Sequence, residues 1–162
     1  MVFRNSEVKI FLKLYSRKNS IRINGISEQR SENILEVVSN LLLEKLNISI
    51  SPYCIDNCHR VINKKYSDSA HKKSRYPPPV IVKFTSHMVK EKVFNNKKLV
   101  KGSGISVAED LTAARYKLYR AAAQKFGVKH VWSSRRRNGN VFAEDHGKRL
   151  SIKVAEDIIV SG

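Results

Sequence analysis

A chain of 162 residues in which 41% of side chains are hydrophobic can bury one core of moderate size or two very small ones, which excludes a bare basic tail. Its 31 lysines and arginines face 14 acids, a net charge of +17 that exceeds what solubility needs and calls for a polyanionic partner, either nucleic acid or an anionic membrane. No apolar run of transmembrane length, signal-peptide pattern or lipidation signature occurs, which favours nucleic acid; two cysteines are too few for a disulfide framework and imply a reducing compartment, cytoplasmic or nuclear.

In chain order, Glu7 to Arg17 places Val8, Phe11, Leu12 and Tyr15 on one face of a short helix. It is too short to be stable alone, so it either docks on a domain or forms the end of a longer coiled coil. Ser20 to Ile26 alternates polar and apolar residues and predicts a half-buried strand. Ser27 or Ser31 then caps a helix carrying Ile34, Leu35, Val38, Leu41, Leu42 and Leu46 and ending near Asn47. A second strand fits Cys54 to Ile62. Asn63 to Pro79 is rich in Lys, Ser, Tyr and His and closes on three prolines, which marks an exposed loop. Val80 to Phe84, opened by three β-branched residues and closed by an aromatic, is the clearest strand of the chain.

Thr85 or Ser86 caps the next helix, His87 to Lys97, with Met88, Val89, Val93 and Phe94 on its buried side and lysines elsewhere. Ile105 to Ala108 is a fourth short strand. The order βαββαβ predicts an α+β fold, a ferredoxin-like two-layer sandwich over residues 19–109 with one sheet face open. Asp110 or Thr112 caps a third helix, through Phe126, which packs Ala113, Ala114, Leu118, Ala121 and Ala122 and stops at Gly127. Strands over Val128–Ser134, Asn140–Ala143 and Leu150–Val154 follow, joined by turns at Asn138-Gly139 and His146-Gly147. Residues 110–162 thus form a small helix-plus-β-meander domain, and residues 1–18 a separate N-terminal helix.

The cations are clustered. Arg115, Lys117, Arg120, Lys125, Lys129, Arg135, Arg136 and Arg137 occur between Leu111 and Ala143 without one acid, and Lys64, Lys65, Lys72 and Lys73 lie between Arg60 and Arg75 against Asp68 alone. The two clusters would form the walls of one cationic groove. The first strand offers Arg22, and the third Pro79 and Ile81, where single-strand readers of this fold carry aromatic rings, so stacking on the open sheet is not expected. Tyr66, Tyr76 and Trp132 are the rings near the basic clusters, each also compatible with ordinary packing, which is the favoured reading for Trp132. Cys54-Ile-Asp-Asn-Cys58-His59 lacks a fourth ligand for zinc, and its two cysteines read as thiols on one strand face. Asp145-His146 reads as turn chemistry. With no nucleophile elbow, phosphate-cradling glycine loop or metal-binding carboxylates, neither an enzyme, a cofactor nor a metal is expected.

The segments Tyr15 to Glu28, Cys58-His-Arg60, Pro79 to Ser86 and Ile105 to Thr112 fall in an order and spacing that resemble the first-open-reading-frame proteins of LINE-type retrotransposons and the FP ("few polyhedra") proteins of baculoviruses. That resemblance spans nearly the whole chain. It implies a coiled coil, a noncanonical RNA recognition motif, and a C-terminal domain that completes a basic cleft for single-stranded nucleic acid; retrotransposon members trimerise and act as strand-annealing chaperones. Arg22, Arg60, Lys83 and the Lys72 to Arg75 part of the loop match basic positions of the pattern, whereas Ser106 stands where many members have arginine. The expected contact residues are Arg17, Arg22, Arg60, Lys64, Lys65, Lys72, Lys73, Arg75, Tyr76, Lys83, Arg115, Lys117, Arg120, Trp132, Arg135, Arg136 and Arg137. Two readings compete with this one: an FP-type structural module binding acidic proteins or membranes, and a nuclease, which has no motif behind it.

Overall fold

A computed structural model describes residues 5–61, 76–134 and 140–160. The Lys64 to Arg75 cluster with Tyr66, the Arg135 to Arg137 run and the Asn138-Gly139 turn lie outside the described residues. The chain is mixed α+β: α1 (Asn5–Ser16), β1 (Ser20–Asn24), α2 (Ile34–Leu46), β2 (Ile55–Arg60), β3 (Val80–Phe84), α3 (His87–Asn95), β4 (Ser106–Glu109), α4 (Ala113–Phe126), β5 (Val131–Ser134), β6 (Asn140–Asp145), β7 (Lys148–Ile152) and α5 (Glu156–Val160). Two compact units divide it. One is Asn19–Asp110; the other joins Met1–Lys18 to Leu111–Gly162.

In the Asn19–Asp110 unit the strands lie in the order β2-β3-β1-β4, and every neighbouring pair is antiparallel. Alternation sorts the side chains. Ile21 and Ile23 of β1, Val80, Val82 and Phe84 of β3, and Val107 of β4 are buried together against Val38, Leu41, Leu42 and Leu46 of α2 and Val93 and Phe94 of α3. The α2 cap is Asn33, whose side chain accepts from the Glu36 N–H, and neither Ser27 nor Ser31 caps it. Ser31 instead takes a left-handed conformation, φ 57°, in the turn ahead of the helix. Asn47, also left-handed, closes α2. Gly25 ends β1 at φ +90°, and a Cβ there would meet the Gly104 carbonyl oxygen at 2.1 Å, so two backbones cross at a point that only glycine permits.

Two further expectations fail in this unit. Cys54 belongs to a 3₁₀ turn, Pro52–Cys54, ahead of β2, so it does not share a strand face with Cys58. Its carbonyl accepts from the Thr85 N–H at 3.0 Å, and that turn chemistry takes the residue out of the strand. On α3, capped by Ser86, Met88 is 82% exposed while Lys90 is 1% exposed. The packed stripe therefore runs through Lys90, Val93 and Phe94. It can include a lysine because Nζ reaches both carboxylate oxygens of Glu109 on β4, at 2.9 and 2.8 Å.

In the second unit, Thr112 caps α4 by accepting from the Arg115 N–H, and Gly127 ends the helix. Strands β5, β6 and β7 form an antiparallel meander in chain order. His146 and Gly147, at φ 48° and 78°, make the two-residue turn of the β6–β7 hairpin. The core joins Ala122 to Val131, Val141, Ala143, Ile152 and Ile158, with Leu118, Tyr119, Ala123 and Phe126 packed around it. Ala113, Ala114 and Ala121, expected inside, are exposed, because Tyr119 and Phe126 claim the sheet-facing stripe and rotate it away from them. A short helix, α5, closes the unit. The Asp157 carboxylate starts it by accepting from the backbone N–H groups of Lys153 and Val154, bonds that hold its pKa below the usual carboxylate range.

Candidate nucleic-acid interface

Helix α4 has no acid in its first turn and sorts its cations by angle. Positions 113, 117, 120 and 124 follow the i, i+4, i+7, i+11 progression of one helix face, so Lys117 and Arg120 project together into solvent beside Tyr116. Neither has a hydrogen-bond or ion-pair partner among the described residues. Arg115 aligns instead with the packed stripe of Leu118, Tyr119 and Ala122, and is half-buried. Burial pushes its pKa down from the usual guanidinium value. Its Nη1 atom is buried without a hydrogen-bond partner among the described residues, at the positive end of the helix. Lys125, which sequence alone groups with these cations, is taken up internally. Its Nζ donates to the Ile158 carbonyl and lies 5.2 Å from the Phe126 ring centre, tying α4 to α5.

Arg17, just past α1, donates from Nη1 to the Leu111 carbonyl at 3.3 Å within the same unit. In the other unit the open sheet face carries cross-strand rows: His59, Ile81, Arg22 and Ala108 in one, Asn57, Lys83 and Ser20 in the next, Asn24 and Ser106 in a third. No phenyl, phenol or indole ring stands in these rows. Arg22 faces the buried carboxylate of Asp110 at 3.6 Å, and Lys83 pairs with Asp56 at 2.9 Å with both side chains half exposed. Lys83 thus remains accessible, whereas Arg22 shares its charge with an acid. Tyr76 is 73% exposed.

Arg60 is different in kind. Its Nε and Nη2 donate to the two carboxylate oxygens of Glu32, Nη1 to the carbonyls of Ile26 and Pro78 at 3.0 and 2.9 Å, and Nη2 also to Ser27 at 2.9 Å. All five guanidinium N–H groups are engaged, so none is left for a phosphate. This geometry fits a structural tie between β2, the segment after β1 and the chain leading into β3. The Glu32 side chain raises the Arg60 pKa, and the Arg60 hydrogen bond lowers that of Glu32.

Trp132 is half-buried and stands on the face of the β5-β6-β7 sheet opposite the one that packs on α4. Beside it is a residue that composition and motif do not single out, Arg149 of β7, whose guanidinium lies over the rings of both Trp132 and Phe142. The only signal for it in the chain is the hairpin register set by His146-Gly147. Burial raises the Cys58 thiol pKa, and among the described residues no group of three His, Cys, Asp or Glu side chains is placed to hold a metal. Among the described residues, no helix is long and apolar enough to cross a membrane. Compared with models of known protein families and with curated protein sequences, the chain matches none.

Proposed function

We propose that this chain is a non-enzymatic protein that binds single-stranded nucleic acid, RNA in the first instance, in the manner of retrotransposon first-open-reading-frame and FP proteins. In this reading the βαββαβ unit, with its strand order β2-β3-β1-β4, is a ferredoxin-like sandwich of the noncanonical RNA-recognition type. The helix-plus-meander unit carries the main phosphate contacts, and strand annealing is the activity. The observation that carries the proposal is the state of the α4 cations: Lys117 and Arg120 are exposed and unpaired among the described residues, and Arg115 is desolvated with one donor unsatisfied. Helix α4 itself carries no acid to quench this face.

The test is the salt dependence of oligouridylate binding, followed by fluorescence anisotropy. Each phosphate contact to a single strand contributes about 0.7 to the slope of log affinity against log salt, so changing Arg115, Lys117 and Arg120 together to Ala is expected to lower that slope by about 2. Absence of binding by the unmodified chain at low salt would sink the proposal.

Helix α1 favours a second component. Phe11, Leu12 and Tyr15 are each more than half exposed, and Phe11 stacks on Tyr15 at 6.1 Å, which leaves an apolar stripe on a basic helix. Self-association through that stripe suits an annealing protein, and light scattering with and without an oligonucleotide measures it. The FP-type alternative places an acidic protein or an anionic membrane on the basic surface of the chain; tight binding to anionic vesicles with none to RNA would select it.

A further inference from the structure

The aromatic pair of the second unit lies outside the core that packs on α4. Trp132 lies directly opposite Phe142 across the β5–β6 ladder, and Ser151 is next in the row on β7. The alternate residues Val131, Val141, Ala143 and Ile152 point the other way and make the core with α4. That core contains neither of the two large rings. They lie near-parallel on the opposite face, centres 6.2 Å apart at an interplanar angle of 20°.

Arg149 completes the group. Its guanidinium carbon is 4.3 Å from the Phe142 ring centre and 5.5 Å from that of Trp132. Phe142 is only 3% exposed, whereas Trp132 keeps part of its surface and Arg149 and Ser151 are exposed. Phe142 is thus the floor, the guanidinium one flank, and the indole the half that remains open. A cross-strand aromatic pair of this kind adds sheet stability by itself. It does not explain why a cation is laid over the rings when Glu144, a carboxylate, is its direct cross-strand neighbour.

We infer that Trp132, backed by Phe142 and flanked by Arg149, is a stacking platform for an unpaired nucleobase, with the strand's phosphates drawn in by the positive charge of the chain. The inference rests on the nucleic-acid reading above and adds to it a second kind of contact. Charge complementarity selects the occupant: Arg149 is itself a cation on this face, the exposed Lys153 follows β7, and the chain as a whole carries a net charge of +17. An indole offers its π-face to any base, and a guanidinium adds cation–π attraction, so the contact tolerates sequence but demands that the base be unstacked from its neighbours. Duplex bases are unavailable to it.

Trp132 is the only tryptophan of the chain, so its emission reports this ring alone. The full chain is titrated with oligouridylate, with an abasic strand of equal phosphate number, and with polyglutamate, reading tryptophan emission beside the anisotropy of a labelled strand. The expected result is that oligouridylate quenches Trp132 and binds about tenfold more tightly than the abasic strand, which binds without quenching. Equal affinity for the two strands with unchanged emission would overturn the platform while leaving phosphate binding intact. Quenching by polyglutamate as strong as that by oligouridylate would also overturn it, in favour of an acidic peptide. If neither strand binds at low salt, the nucleic-acid reading itself fails and the platform with it. Arg149→Gln, at an exposed position, supplies the variant arm: it is expected to cut oligouridylate affinity by a larger factor than abasic affinity, because only the former includes stacking. An equal loss on both would reduce Arg149 to a phosphate contact and refute its role as the flank.

Discussion

Replacing Lys90 by methionine is expected to destabilise the protein by about 3–5 kcal/mol, read as a lower urea midpoint with an unchanged slope. The lysine is 1% exposed, and its Nζ supplies both carboxylate oxygens of Glu109. It also lies 5.4 Å from the Phe94 ring centre. Methionine fills similar space but leaves the Glu109 carboxylate, itself only 9% exposed, without its cation. The buried pair need not stabilise the fold relative to an apolar pair, since desolvation offsets much of its attraction. The double variant Lys90→Met with Glu109→Leu is therefore expected to recover most of the loss. A single variant as stable as the unmodified chain would show that the carboxylate finds solvent, and that α3 is not held by this pair.

Arg60→Ala is expected to cost about 3–5 kcal/mol, because it removes five hydrogen bonds at once and strands a carboxylate that is 13% exposed. Arg60→Lys should recover little, since an ammonium cannot reproduce the planar fork that spans Glu32 and three carbonyls. The pH dependence has a definite sign. Arg60 holds the Glu32 pKa below its ordinary value, so the linked stability is fully present above that ordinary value and drains as the pH falls through the lowered one. The gap between the unmodified chain and Arg60→Ala should be complete at neutral pH and narrow on acidification. A gap that widened in acid would contradict the assignment. Nucleic-acid affinity measured on the folded fraction should change little, which separates this arginine from those of α4.

What could be read in the sequence divides by the range of the interaction. Strand β3 is legible to the residue, because Val80, Ile81 and Val82 are three consecutive β-branched residues, closed by the aromatic Phe84 and bounded by prolines and a capping serine. The hairpin turn at His146-Gly147 and the stop at Gly127 are legible for the same reason, being set by local backbone preference. Lys90 is illegible because its partner lies elsewhere: helical spacing alone ranks Met88 above it, and only the arrival of Glu109 from β4 makes a buried lysine tolerable. Arg60 looks like one more cation of a basic cluster until Ile26, Ser27, Glu32 and Pro78 converge on it. On α4, the even spread of cations along the sequence hides a split that depends on which stripe Tyr119 and Phe126 bury. Arg149 is hidden for a related reason, since its two rings come from different strands.

The position of β1 governs how the first unit can be made. It is the earliest strand of its sheet to be synthesised, yet it is flanked on both edges by strands that come much later, β3 through Ser20↔Lys83 to Ile23↔Val80 and β4 through Ile21↔Glu109 to Asn24↔Ser106. Its hydrogen bonds therefore close large loops, and folding speed in this unit is limited by those closures more than by helix formation. On the ribosome the sheet stays incomplete until Glu109 has emerged. A chain cut short before Ser106 would leave one edge of β1 unpaired beside Ile21 and Ile23, a template on which a second copy could add its own strand.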